Sequence, residues 1–184
     1  MRYKAILFDM DGTLLDTLTD MADAVNHILS VHGWPLRTTE EVRAFVGNGA
    51  RRLMERAVPP EVTDGDFEAV LTEYRDWYQT HNCVATAPYP GIPALLAALA
   101  KAGIKTAVVS NKPDATTKTL AARFFPGLPA FGQRDDVPPK PAPDLVFRAL
   151  ETLGVDAADA IYVGDSEVDV ATARNAGLPL AAVS

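Results

Sequence analysis

The sequence predicts an α/β fold, a Rossmann-like doubly wound parallel sheet core with an inserted α-helical cap. Three observations predict it. Short unbroken apolar runs recur at Ala5-Ile6-Leu7-Phe8, Thr106-Ala107-Val108-Val109, Ala160-Ile161-Tyr162-Val163 and Leu180-Ala181-Ala182-Val183, as expected of strands buried on both faces of a parallel sheet. Helical pattern separates each run from the next. Between the first and second runs lies a long insertion with strong helical periodicity and no convincing strand. The expected division is therefore a core of residues 1-15 and 89-184 and a helical cap of residues 16-88.

Taken in order, the first apolar run stops at Asp9. In the insertion, Leu18, Met21, Ala22, Val25, Ile28 and Leu29 share one helical face, and Phe67, Val70, Leu71, Tyr74, Trp77 and Tyr78 share another. Thr38 followed by Glu41 has the form of a capping box, and Gly47 to Gly49 breaks two shorter helical segments apart. The chain re-enters the sheet through Pro88-Tyr89-Pro90-Gly91, followed by an amphipathic helix carrying Ile92, Leu95, Leu96 and Leu99 with Gly103 as its stop. The Pro- and Gly-rich stretch from Pro126 to Pro143 has room for a short edge strand around Ala130-Phe131.

Bulk properties narrow the class. A chain of 184 residues that is 48% hydrophobic can bury a core, which excludes a disordered chain. No apolar run approaches the roughly 18 residues of a membrane span, and Asp9 interrupts anything resembling a signal-peptide core. A cytoplasmic protein is expected, with Cys83 as its single, packed cysteine. A net charge of −7 argues against nucleic-acid partners. It also repels anionic substrates, so a bound phosphate needs local compensation from a cation, lysines or helix N-termini.

Four polar clusters sit at predicted strand ends or before helices, the edge where open α/β sheets place ligands. In Asp9-Met10-Asp11-Gly12-Thr13, one carboxylate can attack while the other moves protons, and Gly12 permits a tight turn. The same pattern also suits a turn with Asx capping. Ser110-Asn111-Lys112 follows a strand and precedes a helix near Asp114, offering donors to a phosphate or simply starting the helix. Lys140 is flanked by Pro138, Pro139, Pro141 and Pro143, which hold its backbone extended. Gly164-Asp165-Ser166 with Asp169 places two carboxylates at a helix start, where they can face one point or act as N-caps.

In this order the four clusters resemble the motifs of the haloacid dehalogenase-like superfamily, matched by Asp9 to Thr13, by Ser110, by Lys140, and by Gly164-Asp165 with Asp169. The insertion resembles that superfamily's C1-type cap. Within it, the chain is similar to the phosphoglycolate phosphatases through Asp16-Thr17-x-x-Asp20, Asn26, Val46-Gly47-Asn48-Gly49, Ser110-Asn111-Lys112-Pro113 and Lys140-Pro141-x-Pro143. The resemblance implies a phosphoric monoester hydrolase acting on a small organic phosphate, 2-phosphoglycolate foremost. Asp9 would be the nucleophile, Asp11 the general acid and base, and Lys140 the charge-offsetting catalytic lysine. Mg2+ would be held by Asp9, the Asp11 carbonyl, Asp165 and Asp169. Gly12, Thr13, Ser110 and Asn111 would bind phosphate, with Asn48 and Gly49 over the substrate. Relatives of this kind continue past Val183-Ser184 with another strand and helix, so an end at Ser184 leaves one sheet edge less protected.

Two other readings remain open. One is a different phosphatase or a phosphomutase of the same superfamily, acting on a sugar phosphate or pyrophosphate. The other is a non-enzymatic phospho-acceptor module, against which the early position of Asp9 and the neighbouring Asp11 argue. Arg51 and Arg52 suit either a substrate carboxylate or a solvated helix face. His27, His32 and His81 show no metal-ligand spacing.

Overall fold

The computed structural model describes residues 3–183. The chain divides into two compact units, one of residues 1–16 and 88–184 and one of residues 17–87.

The first unit is built on a parallel five-stranded sheet: β1 (Ala5–Phe8), β4 (Lys105–Pro113), β5 (Ala130–Gln133), β6 (Ala160–Gly164) and β7 (Leu180–Ala182), in the order β5-β4-β1-β6-β7. β1 is central because its uninterrupted apolar residues tolerate a ladder on either side, Phe8 pairing with Val108 and with Val163. Strand order reverses at β1, which places the switch-point crevice at its carboxyl end. Ala5, Leu7, Ala107, Val109, Ala160 and Tyr162 project to one face and pack under α7 (Asp144–Leu153) and α8 (Glu167–Ala176). The helices α5 (Ile92–Lys101) and α6 (Asp114–Phe124) complete the unit. Two short strands, β2 (Leu15–Asp16) and β3 (Ala87–Pro88), pair separately.

The second unit contains α1 (Leu18–Val31), α2 (Thr39–Phe45), α3 (Gly49–Ala57) and α4 (Asp64–His81). The two helical faces read from the sequence meet in its core, with Met21, Val25, Ile28 and Leu29 against Val70, Leu71, Tyr74 and Tyr78. Thr38 and Glu41 form the reciprocal capping box at the start of α2. Asn26 pins the loop before α2 by accepting from the Arg37 N–H and donating to the Arg37 carbonyl. Asp20, 1% exposed, accepts from the backbone N–H groups of Val84, Ala85 and Thr86, tying α1 to the exit of the unit.

Four details differ from the pattern reading. β4 does not stop at Val109 but runs to Pro113, with a register irregularity between Val109 and Pro113. The insertion ends in the short strand β3. Helix α5 forms where expected but has no buried residue, and Leu95 is 42% exposed. Periodicity locates an apolar face, but burial depends on what covers it. Lys140 lies in a turn, not in extended backbone, and its side chain is buried. No helix of the described residues is long and apolar enough to cross a membrane.

Candidate active site

The carboxyl ends of β1, β4 and β6 gather the polar side chains. Asp9 follows β1 directly, and its N–H continues the ladder to the Val163 carbonyl at 2.9 Å, fixing its level in the sheet. The next residues turn sharply: the Met10 carbonyl accepts from Leu14 and Leu15, and Gly12 adopts φ +81°. That turn carries Thr13 to Asp165, to which its hydroxyl donates at 2.9 Å. Asp165 follows β6. Ser166 caps α8 in a reciprocal box with Asp169, whose Oδ2 accepts from the Ser166 N–H and hydroxyl at 3.1 and 2.6 Å. Asp165 is therefore not the cap, which leaves its carboxylate for the site.

Lys140, 4% exposed, is the hub. Its Nζ lies 2.7 Å from Asp169 Oδ1, 2.9 Å from Asp9 Oδ1 and 3.1 Å from the Tyr162 hydroxyl. Tyr162 in turn donates to the Val109 carbonyl at 3.0 Å. Asn111 clamps the lysine's backbone, accepting from its N–H at 2.7 Å and donating to its carbonyl at 3.0 Å. The Asn111 side chain thus positions Lys140, and any phosphate contact from this residue falls to its backbone. Ser110 is buried, and its oxygen accepts from the Lys112 N–H at 3.2 Å, which leaves the hydroxyl proton for another acceptor. Lys112 Nζ meets Asp11 Oδ1 at 3.2 Å.

Burial and charge set the proton affinities. Burial pushes the Asp9 carboxyl up to about 7, with Lys140 opposing and Asp169 and Asp11 adding to the rise. Burial alone would lower Lys140, but Asp9, then Tyr162 and Asp169, hold it well above its ordinary value. Burial would raise Asp169, yet the charge and hydrogen bond of Lys140, with Ser166, hold it below the usual carboxylate range. Asp165 is raised by partial desolvation against the Thr13 hydrogen bond, and Tyr162 is raised chiefly by burial.

One oxygen from each of Asp9, Asp165 and Asp169 lies within 4.8 Å of the others, so the three can hold a metal ion. The donor set fits a hard divalent cation. Asp9 Oδ1 is buried and makes no hydrogen bond, its contact with Lys140 being an ion pair without hydrogen-bond alignment. Four carboxylates face only two ammonium groups at this edge, an imbalance that a divalent cation would offset.

Within the second unit, Asn48 is the N-cap of α3 and Gly49 its first residue. Arg51 and Arg52 pair with Glu68 and Glu55, each at 2.6 Å, on exposed helix surface. His32 pairs with Glu73, and His27, Trp77 and His81 stack. Among the described residues, none of the histidines belongs to a group that can hold a metal.

Comparison with known proteins decides the family. The model of the haloacid dehalogenase-like hydrolases matches residues 6–183. The chain belongs to the haloacid dehalogenase-like hydrolase family. As a member it is an enzyme, and its relatives include phosphatases. It is 36% identical over 191 residues to the N-acetylmuramic acid 6-phosphate phosphatase of Pseudomonas aeruginosa, covering 100% of this chain and 82% of that protein. It is equally identical, 36% over 192 residues, to the phosphoglycolate phosphatase of Pseudomonas savastanoi pv. phaseolicola, covering 98% and 69%. Among solved haloacid dehalogenase-like structures, a Lactobacillus delbrueckii subsp. bulgaricus protein superposes with TM-score 0.94 at 35% identity, covering 100% of this chain and 87% of its own. CbbY from Rhodobacter sphaeroides, solved in complex with phosphate, gives TM-score 0.74 at 26% identity, covering 97% and 84%.

In the sequence Tyr162 stands as one more position of an apolar strand, yet the structure places its hydroxyl against Lys140. The available signal was that a buried phenol needs a partner, and the strand end beside Asp165 offers one.

Proposed function

We propose that this enzyme is a Mg2+-dependent phosphatase that hydrolyses a small phosphomonoester, 2-phosphoglycolate foremost, through an aspartyl phosphate on Asp9. The observation that carries the reading is the meeting of Asp9, Lys140 and the Asp165/Asp169 pair at the switch-point edge. An Asp9 oxygen attacks phosphorus, forming the Asp9–O–P bond as the bond to the leaving alkoxide breaks, and the Asp11 carboxyl gives that alkoxide its proton. Water then attacks the aspartyl phosphate, surrendering its proton to Asp11 as the Asp9–O–P bond breaks. Two easier displacements replace one hard one.

Asp9, Asp165 and the Asp11 carbonyl would hold Mg2+, with Asp169, whose two oxygens already accept from Lys140 and Ser166, as ligand or brace. When bound, the ion neutralises charge so that two anions can approach. Lys140 offsets Asp9 and the phosphoryl oxygens. The Ser110 hydroxyl, Thr13 and the backbone of Asp11, Gly12 and Asn111 are assigned to the phosphoryl group. For Asn48 and Gly49, which begin a helix of the second unit, the substrate role is carried by the family resemblance alone.

A second substrate reading has its own support. The N-acetylmuramic acid 6-phosphate phosphatase is as identical to this chain as the phosphoglycolate phosphatase, and the match spans more of its length. Phosphate release from the two compounds, beside other sugar phosphates, pyrophosphate and p-nitrophenyl phosphate, separates them. The proposal expects the highest kcat/KM with 2-phosphoglycolate, and none without a divalent cation or with Asp9→Asn. A dominant N-acetylmuramic acid 6-phosphate activity selects the second reading, and turnover by Asp9→Asn contradicts both.

A further inference from the structure

Lys112 has no part in the chemistry assigned above, yet it is built into the same edge. Its side chain is 3% exposed. Its backbone is held on both sides, the N–H donating to Ser110 Oγ at 3.2 Å and the carbonyl accepting from Thr117 Oγ1 at 3.1 Å. Pro113 follows, at the point where the β4 register shifts. The tether therefore has little freedom, and its ammonium ends 3.2 Å from Asp11 Oδ1. Asp11 itself is only 14% exposed at the side chain, on the turn closed by the Met10 carbonyl.

Burying an ammonium is costly unless a carboxylate meets it, so this pair is retained against a desolvation penalty. The other buried lysine of the site, Lys140, meets Asp9 and Asp169, so the two lysines serve different carboxylates. We infer that Lys112 is a positioning residue that holds the Asp11 carboxyl group in place for proton transfer to and from the leaving group. An ammonium at Oδ1 restrains the carboxyl group against rotating off the leaving-group line. This inference rests on the reading of Asp11 as general acid and base.

A leaving-group series separates the two claims. The measurement is kcat/KM, which reports formation of the aspartyl phosphate, for phosphomonoesters from p-nitrophenyl to alkyl, with wild type, Asp11→Asn, Lys112→Met, Lys112→Gln and the double variant Asp11→Asn/Lys112→Met. A good leaving group needs no acid, whereas an alkoxide does. Lys112→Met and Lys112→Gln should each lose about 10-fold more on the alkyl esters than on p-nitrophenyl phosphate, a fraction of the roughly 10² to 10⁴ that a general acid supplies. The double variant should be no slower than Asp11→Asn, because the lysine acts only through that carboxylate. Losses uniform across the series, unchanged kinetics, or an additive double variant would overturn the role of Lys112 and leave the phosphatase reading standing. If Asp11→Asn itself shows no leaving-group selectivity, the acid-base reading fails and the inference falls with it. Thermal unfolding of each variant identifies losses that come from misfolding, and either lysine variant alone suffices for the comparison.

Discussion

Asp165 fills the space that a side chain at Gly12 would need: a Cβ there would collide with Asp165 Oδ2. The absence of a side chain at position 12 is what lets the Asp165 carboxylate, one of the three that can hold a metal ion, approach the turn that carries Asp9 and Asp11. Gly12 also sits at φ +81°, where a side chain is strained in any case. Gly12→Ala should therefore displace Asp165, cost about 1–3 kcal/mol of stability and reduce kcat by roughly 100-fold or more. Urea denaturation and phosphate release check this; near wild-type kcat would show that the approach is not needed.

The proton affinity of Asp9 makes a prediction about stability. Its carboxyl is raised to about 7 in the fold, against 3.8 for an unperturbed group. Between those values the unfolded chain has released the proton while the folded chain keeps it, so this group's contribution falls as pH rises through the window and is fully lost above about 7. In cation-free buffer, Asp9→Asn should raise Tm at pH 8 while leaving it nearly unchanged at pH 4, as it abolishes activity. A Tm at pH 8 below that of wild type would contradict the account.

Cation binding should reverse that penalty. A ligand that binds only the folded state adds about 2.7 kcal/mol at one hundred times its Kd, so Mg2+ should raise the Tm of wild type in a concentration-dependent way. Asp165→Asn should weaken this response at least about tenfold in apparent Kd while keeping the fold, since Asp165 is exposed and accepts one side-chain hydrogen bond from Thr13. Chelation should end turnover, and Mg2+ should restore it. A melting curve indifferent to Mg2+ would count against the site.

In the helical unit the decisive polar residue is Asp20. One carboxylate accepts three backbone N–H groups at 3.0, 2.8 and 2.9 Å in a nearly dry setting. Asp20→Ala should cost about 3–5 kcal/mol, because it strands three donors at once, and Asp20→Asn should cost less. Chemical denaturation measures both; a loss under about 1 kcal/mol for the alanine variant would show that water replaces the carboxylate.

The strand–helix alternation and the strand-end positions of Asp9 and Asp165 are legible because each depends on local signals: an apolar run, its polar terminus, a helix start. What links strands was not. The Lys140–Tyr162–Val109 chain spans β6 and β4, and its partners are far apart in sequence. The place of Asn111 beside Ser110 suggests a phosphate contact, and nothing local in the sequence shows that its side-chain amide meets the backbone of Lys140, 29 residues away. Helix α5 shows a similar limit. Ile92, Leu95, Leu96 and Leu99 have the right spacing for a buried face, yet none is buried, because spacing records an apolar surface and not its cover.

The claim on which the account depends is the covalent intermediate at Asp9. Multiple turnovers with the preferred phosphomonoester in H2(18)O, followed by proteolysis and mass spectrometry of the peptide containing Asp9, test it directly. Water attacking phosphorus breaks the Asp9–O–P bond on the phosphorus side, so Asp9 keeps both of its carboxylate oxygens and each released phosphate gains one oxygen from water. The account therefore predicts no 18O in Asp9 and 18O in the inorganic phosphate, with a phosphoryl group trapped on Asp9 by rapid acid quench in wild type and absent in Asp9→Asn. Turnover with no trapped phosphoryl-Asp9 would contradict it, and 18O entering the Asp9 carboxylate would place the water's attack on the carboxyl carbon and contradict the second displacement.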